Sequence, residues 1–436
     1  MDVKSINDLL ARGEIDRDEL WPHVREMESK TLQFRFEFGL KKLPKEPGLM
    51  IIRGPRQYGK STWLELNLYE SIKQNGKGSA YYLNGDDIGS SEELLRCLEE
   101  LYQAFSPAAL KRLFIDEITA IPEWERTIKR LIDRGLYRDV LIITTGSKAL
   151  DLRRGSEKLP GRKGRLGKSE YIFLPVSYKN FYEKVGKELG DKAWMAYLLT
   201  GGSPLACNDI YQFQVLPEYF IQLVKDWVLG EIVSTGRGRQ AIINLMQSIF
   251  RYGGQPVGFA KLARESGLAN NTVASGYIEQ LSDLLCLLPS WPWNPNTKSL
   301  ELRKPCKFHF INMAVVVAWH PSGLRSIHDY ETLLPSEQAV LIEWLVAQEV
   351  WRRSVLNGND SPERMTFWQS KQNEIDFVIE DNKFLEVKRG QASPLDFAWF
   401  PKVFPKGHLQ VICSTPFQSR QVTGITIHDF LLERRL

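Results

Sequence analysis

A glycine-rich segment extends from position 54 to position 62. Two glycines, a lysine directly after the second glycine and a hydroxyl residue after the lysine match the spacing G-x-x-x-x-G-K-[ST]. Such glycines let backbone N–H groups turn toward phosphate oxygens, the lysine reaches the β- and γ-phosphates, and the hydroxyl ligates Mg²⁺. The pattern therefore predicts that ATP binds here with Mg²⁺, and that Ser61 is a metal ligand. The predicted nucleotide contacts are Gly54, Pro55, Arg56, Gln57, Tyr58, Gly59, Lys60, Ser61 and Thr62.

A second set is an acidic pair, Asp116 and Glu117, directly after the apolar stretch Leu113-Phe-Ile115. At the end of a parallel strand, Asp116 is placed to contact the nucleotide and to hold the hydration shell of Mg²⁺. Glu117 is then placed to orient and polarise the attacking water. The pair predicts that ATP is hydrolysed rather than only bound, with Asp116 as a metal ligand and Glu117 as a catalytic residue.

A third set, in the last third of the chain, has the composition of a metal-dependent nuclease site. Asp376 and Glu386 lie on the two arms of a predicted hairpin, which can bring both carboxylates to one edge. Lys388 follows Glu386 by two residues, and strand side chains alternate, so it lies on the same face. Carboxylates hold Mg²⁺, the metal activates a bound water, and the lysine orients it. The set predicts catalytic roles for Asp376, Glu386 and Lys388, with Glu343, Asp376 and Glu386 as metal ligands.

The elements around the first two sets follow an alternating pattern. A buried strand precedes the glycine-rich segment, and a helix from Thr62 to Ile72 follows it. Strands that alternate with helices predict an α/β domain with a parallel sheet covered on both faces. The predicted strands are 48–53, 80–84, 111–117, 140–145 and 171–176.

Two features after the fourth strand have alternative interpretations. Ser147 follows the strand directly, where it would either sense the γ-phosphate or act as a helix N-cap. The stretch from Asp151 to Lys168 holds seven basic and two acidic residues, which is typical either of a solvated loop or of a phosphate contact. Arg162 or Arg165 could serve as an arginine finger, in its own subunit or in a neighbouring one.

The middle of the chain is predicted to be mostly helical. Residues 181–245 form either a lid on the nucleotide domain or a simple packing bundle. Residues 257–285 fit a helix-turn-helix, and the stretches beginning at Cys286 and Lys307 could supply the strands of a wing. The second helix offers polar residues but no Lys or Arg, which leaves DNA contact and a structural or protein-docking role both open. Its polar residues are Asn270, Asn271, Thr272 and Ser275.

Around the third set, the pattern predicts a helix from Glu337 to Trp351, three successive strands, a helix-like stretch and a further strand. These motifs together resemble a prokaryotic family of AAA+-like P-loop ATPases fused to a C-terminal domain of restriction-endonuclease-like fold. The resemblance implies that Lys60, Ser61, Asp116 and Glu117 form the nucleotide site and that Arg162 is the finger. The chain departs from the family at Asn312, where an aspartate is often found, and in a basic insertion at 163–168. The motifs that carry the resemblance lie at 54–61, 113–117, 145–147, 159–162, 174–177, 201–204, 341–346, 374–377 and 385–388.

Composition and length bound the remaining questions. The 436 residues suggest about three domains, and 43% hydrophobic with 25% charged residues is the balance of a soluble protein. Neither a membrane-spanning apolar run nor a signal-peptide core is evident, and the five cysteines are scattered, which fits a reducing cytoplasm. The expected divisions are a helical lead-in (1–45), a P-loop ATPase core (46–180), a helical lid (181–245), a winged-helix segment (246–330) and a restriction-endonuclease-like domain (331–436).

The sequence as a whole predicts a Mg²⁺-dependent ATPase whose nucleotide state controls a winged-helix and nuclease-like module that binds, and potentially cleaves, DNA. The net charge of +4 is too small to indicate nucleic acid by itself. The alternative is an ATP-binding regulatory switch that docks a protein partner through an inactive nuclease fold. A finger that acts between subunits would require a homo-oligomer.

Overall fold

The computed structural model describes residues 2–107, 110–146, 152, 155, 157–159, 161, 164–359 and 364–433. The chain divides into two compact units, Met1–Leu174 and Pro175–Leu436. In the described part of the chain, no helix combines the length and apolar character needed to cross a membrane.

The first unit is built on a five-stranded parallel sheet with the strand order β2-β3-β4-β1-β5. The prediction of a parallel α/β sheet is therefore confirmed. The strands are β1 (Gly48–Arg53), β2 (Ala80–Asn84), β3 (Lys111–Asp116), β4 (Val140–Gly146) and β5 (Glu170–Ile172), and the helices are α1 (Val3–Arg12), α2 (Pro22–Ser29), α3 (Lys60–Asn75), α4 (Ser91–Ala104) and α5 (Trp124–Asp133).

Helices cover both faces of this sheet. Leu113 and Ile115 of β3 share a buried cluster with Leu98 of α4 and Ile128 of α5. Arg112 directly precedes Leu113 on the strand, and its guanidinium donates to the Ser71 hydroxyl of α3 (2.9 Å). Because neighbouring side chains of a strand point to opposite faces, α3 lies on the face opposite to α4 and α5.

The edge strand β2 is paired with a side chain instead of a further strand. The Asn7 amide on α1 donates to the carbonyl oxygen of Tyr82 (2.7 Å), and the Tyr82 N–H donates to the Asn7 side-chain oxygen (2.9 Å). One asparagine thus satisfies both backbone groups of Tyr82.

The second unit begins with helices and continues with two mixed sheets. The predicted helix-turn-helix stretch forms two helices, α11 and α12, separated by Ser266–Asn270. The helices are α6 (Tyr178–Leu189), α7 (Ala193–Thr200), α8 (Pro204–Phe213), α9 (Glu218–Ser234), α10 (Arg239–Arg251), α11 (Phe259–Glu265), α12 (Asn271–Asp283), α13 (Met313–Trp319), α14 (Ile327–Thr332), α15 (Pro335–Leu356), α16 (Phe400–Val403) and α17 (Ile427–Leu432).

The strands of the second unit form one sheet of β6 to β10 and another of β11 to β15. In the first, β6 pairs antiparallel with β7 and β8 and parallel with β9, which pairs with β10. The second has the order β11-β12-β13-β15-β14. The strands are β6 (Leu287–Asn294), β7 (Ser299–Leu300), β8 (Lys307–Phe310), β9 (Met365–Gln369), β10 (Glu374–Ile375), β11 (Phe377–Glu380), β12 (Lys383–Val387), β13 (His408–Ile412), β14 (Phe417–Gln418) and β15 (Val422–Ile425).

The pairing differs from the expected run of three successive strands. The stretch 374–380 is interrupted at Asp376, so that β10 joins the sheet of β6 while β11 and β12 form the predicted hairpin. The expected helix-like stretch is only a 3₁₀ turn, Pro394–Phe397, and the short helix α16. Large aromatic residues fill this part of the core and replace the packing of a longer helix, among them Trp293, Trp368, Phe384, Phe400 and Phe404.

The long helix α15 carries a buried ion cluster. Glu349 is 1% exposed and accepts two hydrogen bonds from the Arg352 guanidinium (2.7 and 2.8 Å) and one from Arg353 (2.6 Å). Arg353 also donates to the Phe430 carbonyl oxygen of α17. The cluster therefore connects the C-terminal part of α15 to α17.

Candidate nucleotide site and carboxylate cluster

The glycine-rich segment connects β1 to α3 in the first unit. Gly59 precedes the first residue of α3 and has φ +93°, a conformation that glycine adopts without a steric penalty. A Cβ atom added at Gly54 would lie 2.7 Å from the Cβ of Phe173. Both glycines are thus required by local geometry, and the segment leads directly into a helix N-terminus, the arrangement that binds phosphate.

The Lys60 side chain turns back over this segment. Its ammonium group donates to the carbonyl oxygens of Gly54 (2.9 Å) and Pro55 (2.7 Å), and the residue is 6% exposed. The ammonium group thus lies over the backbone of the loop, and its contact with phosphate stays a prediction. Ser61 and Thr62 follow it in the first turn of α3.

Asp116 ends β3 and is buried next to β4. The Thr145 hydroxyl of β4 donates to Asp116 Oδ1, and the Glu117 N–H donates to the same oxygen (3.1 Å). Thr145 was not predicted as a site residue. The feature that could have indicated Thr145 as a site residue is its position at the end of an apolar strand that lies next to β3. The hydroxyl fixes the orientation of the predicted metal-binding carboxylate.

The backbone of Glu117 is held in an unusual conformation. Its φ is +46°, which an L-residue adopts only where surrounding structure compensates the strain. A Cβ atom at Gly85, directly after β2, would lie 2.2 Å from the Glu117 carbonyl oxygen. Gly85 is therefore needed for the close approach of these two strand ends, which positions the predicted catalytic Glu117.

The other predicted residues of this site are only partly described. Ser147 and Arg162 lie outside the described residues, so their proposed roles stay predictions. Arg165 is described and is exposed. Among the remaining loop residues, Arg56 is exposed and Tyr58 is buried, and Gln57 has φ +62°.

The segment before β1 contributes contacts that the sequence did not predict. The Glu65 carboxylate on α3 accepts the backbone N–H groups of His23 (3.1 Å) and Val24 (3.0 Å) and pairs with His23 Nδ1 (2.5 Å). This hydrogen bond to Glu65 raises the pKa of His23, although partial burial opposes it. A Cβ atom at Gly59 would lie 2.9 Å from the Phe36 ring. The residues between α2 and β1 thus pack against the glycine-rich segment.

The second unit brings Asp376, Glu386 and Lys388 together, as the hairpin pattern predicts. The Asp376 N–H donates to Glu386 Oε2 (3.1 Å), and the Val387 N–H donates to Asp376 Oδ2 (2.9 Å). The Lys388 ammonium donates to Glu386 Oε1 (2.5 Å). Asp376 and Glu386 are both buried.

Lys307 of β8 also enters this cluster, which the sequence did not predict. Its Nζ lies 3.0 Å from Asp376 Oδ1 and 3.5 Å from Glu343 Oε1, and it also pairs with Glu374. The side chain is 1% exposed. The sequence had assigned Lys307 only to a strand of a wing. We use the name carboxylate cluster below for Lys307, Glu343, Glu374, Asp376, Glu386 and Lys388.

Burial shifts the titration of the cluster. Desolvation, reinforced by the charge of Asp376, raises the pKa of Glu343 and that of Glu386 to about 8. Desolvation alone would lower the pKa of Lys307, but the carboxylates of Asp376, Glu343 and Glu374 outweigh it and the pKa is raised. Lys307 is therefore a charged ammonium group at neutral pH, enclosed by acidic side chains.

Comparison with known proteins identifies a domain that includes most of the first unit. A family described as "AAA domain" matches residues 46–182. An uncharacterized protein of Methanocaldococcus jannaschii, MJ1544, is 22% identical over 386 residues, which cover 83% of this chain and 79% of that protein. The family match, the glycine-rich segment and the parallel sheet agree that residues 46–182 form a P-loop ATPase domain of the AAA type.

Two solved structures are also similar to this chain, with low TM-scores. The Walker-type ATPase PABY2304 of Pyrococcus abyssi is 12% identical, with a TM-score of 0.43 over 70% of this chain and 95% of that one. The ORC2 protein of Aeropyrum pernix is 12% identical, with a TM-score of 0.37 over 78% of this chain and 93% of that one. Because both scores are low, the assignment of the domain does not depend on them.

Proposed function

We propose that the protein is an ATP-hydrolysing switch in which residues 46–182 bind and hydrolyse ATP and the nucleotide state controls the contact of the second unit with DNA. The observation that carries the first half is the position of Lys60 over the loop carbonyls together with the buried Asp116, which Thr145 orients. Both belong to a domain of a family that uses ATP.

In this proposal the loop N–H groups and Lys60 bind the phosphates. The Ser61 hydroxyl and the Asp116 carboxylate are oxygen donors of the kind that Mg²⁺ prefers, so these residues fit the metal. Bound Mg²⁺ would neutralise charge on the phosphates. Glu117 accepts a proton from the attacking water, and its fixed backbone limits the positions that its carboxylate can reach.

Replacement of Glu117 by glutamine tests the role of the base. The amide keeps the size of the side chain but cannot accept the proton, so we expect kcat to fall about 10²–10⁴-fold while ATP affinity is retained. Glu123→Gln is a matched control, because Glu123 also has a positive φ but is exposed and pairs with Arg126. Steady-state hydrolysis and binding of a fluorescent ATP analogue give the two quantities. Normal turnover in Glu117→Gln would show that another group activates the water.

The proposed DNA contact is supported by a cation next to the second helix of the helix-turn-helix. The exposed residues of α12 include Asn271, Thr272 and Ser275, as the sequence predicts. The Arg237 guanidinium, from the loop between α9 and α10, lies over the Tyr277 ring (4.4 Å). A Cβ atom at Gly276 would lie 2.5 Å from an Arg237 nitrogen. Arg237 thus adds a positive charge to a helix surface that lacks Lys and Arg of its own.

The ATP hydrolysis rate, measured with single-stranded and duplex DNA at two salt concentrations, tests this contact. We expect DNA to stimulate hydrolysis, and we expect this stimulation to weaken at higher salt. Arg237→Ala should reduce the stimulation, and it should lower the salt dependence by the amount expected for the loss of about one phosphate contact. Lys192→Ala is the control, because it removes one exposed cation that pairs with Glu331 elsewhere in the second unit.

A rate indifferent to DNA would favour the alternative, a switch that docks a protein partner. The absence of Lys and Arg on α12 itself favours that alternative. A pull-down with the nucleotide-bound and nucleotide-free protein would then identify the partner.

A further inference from the structure

The carboxylate cluster surrounds a lysine. Its ammonium group occupies the position between the acidic side chains where a metal-dependent nuclease would hold its metal ion. Three carboxylates, from α15, from β10 and from the residue that follows β10, meet at Nζ of Lys307. They are Glu343, Glu374 and Asp376. Two of these, Glu343 and Asp376, are among the metal ligands that the sequence predicts.

Lys307 and a divalent cation cannot occupy this position together. Mg²⁺ requires oxygen ligands at about 2.0–2.1 Å in near-octahedral geometry and keeps several of its waters. The Lys307 ammonium already contacts Asp376 Oδ1 at 3.0 Å and Glu343 Oε1 at 3.5 Å. A metal bound to the same oxygens would overlap the ammonium group and repel its charge at close range.

The oxygens of Asp376 and Glu386, two of the three predicted metal ligands, are engaged by protein donors. Asp376 Oδ2 accepts the Val387 N–H, Glu386 Oε2 accepts the Asp376 N–H, and Glu386 Oε1 accepts from Lys388. With Oδ1 of Asp376 bound to Lys307, all four oxygens of these two side chains have protein donors. A metal would have to displace several hydrogen bonds within the protein.

The backbone of β8 fixes Lys307 in this position. Lys307 pairs with Ser290 of β6 in the antiparallel register, and its side chain is 1% exposed. Its Nζ lies 5.3 Å from the centre of the Phe367 ring of β9. Withdrawing the ammonium group would leave the buried acidic side chains around it without this counter-ion, which is unfavourable.

We propose that Lys307 takes the place of the divalent cation, so that the carboxylate cluster is a metal-independent ion cluster that holds β8, β10 and α15 together. The residues present therefore do not fit Mg²⁺, and the predicted metal-dependent cleavage is not expected at this cluster. The proposal is independent of ATP hydrolysis in the first unit.

Mn²⁺ binding to the full-length protein, followed by electron paramagnetic resonance without nucleotide, tests this proposal. The parent protein carries Asp116→Asn so that the first unit contributes no metal site. We expect no saturable Mn²⁺ binding in the parent. A site in the parent that is lost when Asp376→Asn is added would overturn the proposal, and this comparison requires no change at Lys307.

Replacement of Lys307 tests whether the lysine is what excludes the metal. We expect Lys307→Ala in the same background to gain a saturable Mn²⁺ site that the parent lacks, and to show a Tm that Mn²⁺ raises. Lys307→Met keeps most of the volume without the charge and should gain no site. A folded Lys307→Ala that binds Mn²⁺ no better than the parent would also overturn the proposal.

Discussion

ATP hydrolysis is expected to be lost when Lys60 is replaced by alanine, with turnover about 10²–10³-fold below that of the wild-type protein. The ammonium group lies over the carbonyl oxygens of Gly54 and Pro55 at the N-terminus of α3. Alanine removes the positive charge that would stabilise the transferring phosphoryl group, and it leaves those carbonyl oxygens without this donor. Steady-state hydrolysis at saturating ATP measures the effect.

A lysine on the same helix provides the control for this experiment. Lys73 lies in the last turn of α3, thirteen residues after Lys60, where it is exposed and contacts the Tyr69 ring. At about 1.5 Å per residue the two lysines are about 20 Å apart along the helix. Lys73→Ala should leave turnover within about twofold of the wild-type rate, a much smaller change than a tenfold loss. Retained hydrolysis in Lys60→Ala would contradict the assignment of residues 54–62 as the phosphate site.

Replacement of Glu349 by alanine is expected to destabilise the second unit by about 3–5 kcal/mol. Glu349 is 1% exposed and is the shared acceptor for two buried guanidinium groups. Its removal leaves Arg352 and Arg353 buried next to each other with like charges. Urea denaturation followed by tryptophan fluorescence measures the free energy of unfolding, and a Glu331→Ala control in the exposed pair with Lys192 should change it by only about 1 kcal/mol or less.

The pH dependence separates the loss of the ion cluster from a simple cavity effect. Burial alone would raise the pKa of Glu349, but Arg352 and Arg353 outweigh it and hold the pKa below the usual value for glutamate. The contribution of Glu349 is therefore present above the pKa of the unfolded state and is lost as the pH falls through the folded value. The difference in stability between wild type and Glu349→Ala should shrink on acidification. A difference that is constant down to pH values well below 4.5 would indicate a cavity effect instead.

The strands of the first unit could be predicted closely because their signals are local. The first four along the chain are short runs close to their predicted bounds, and β2 begins and ends where the pattern places it, whereas β5, predicted at 171–176, spans only Glu170–Ile172. The hairpin that joins Asp376 to Glu386 was equally local, since alternation along two adjacent strands sets which side chains share a face. For Ser147 and Arg162, the sequence remains the basis of the assignment.

Lys307 could not be predicted because its neighbours come from distant parts of the chain. The alternation Lys307-Phe-His309-Phe310 is typical of a strand with one polar, solvent-facing side. In the structure, α15 and residues 374–377 cover that side, where Lys307 contacts Glu343 and the His309 ring lies 5.0 Å from the Phe377 ring. Lys307 and His309 are therefore buried, and burial lowers the pKa of His309 well below its usual value. Thr145 and Glu65 were missed for the same reason, since their roles depend on contacts between elements.

The pairing of Asn7 with Tyr82 limits how copies of this protein can associate. An exposed edge strand is a template on which a strand of another chain can add. At β2 the Asn7 amide already occupies the N–H and the carbonyl oxygen of Tyr82. An incoming strand would have to displace α1 before it could extend the sheet in register. Self-association of the first unit by continuous β-sheet is therefore disfavoured at this edge, and a ring of subunits would have to form through other surfaces.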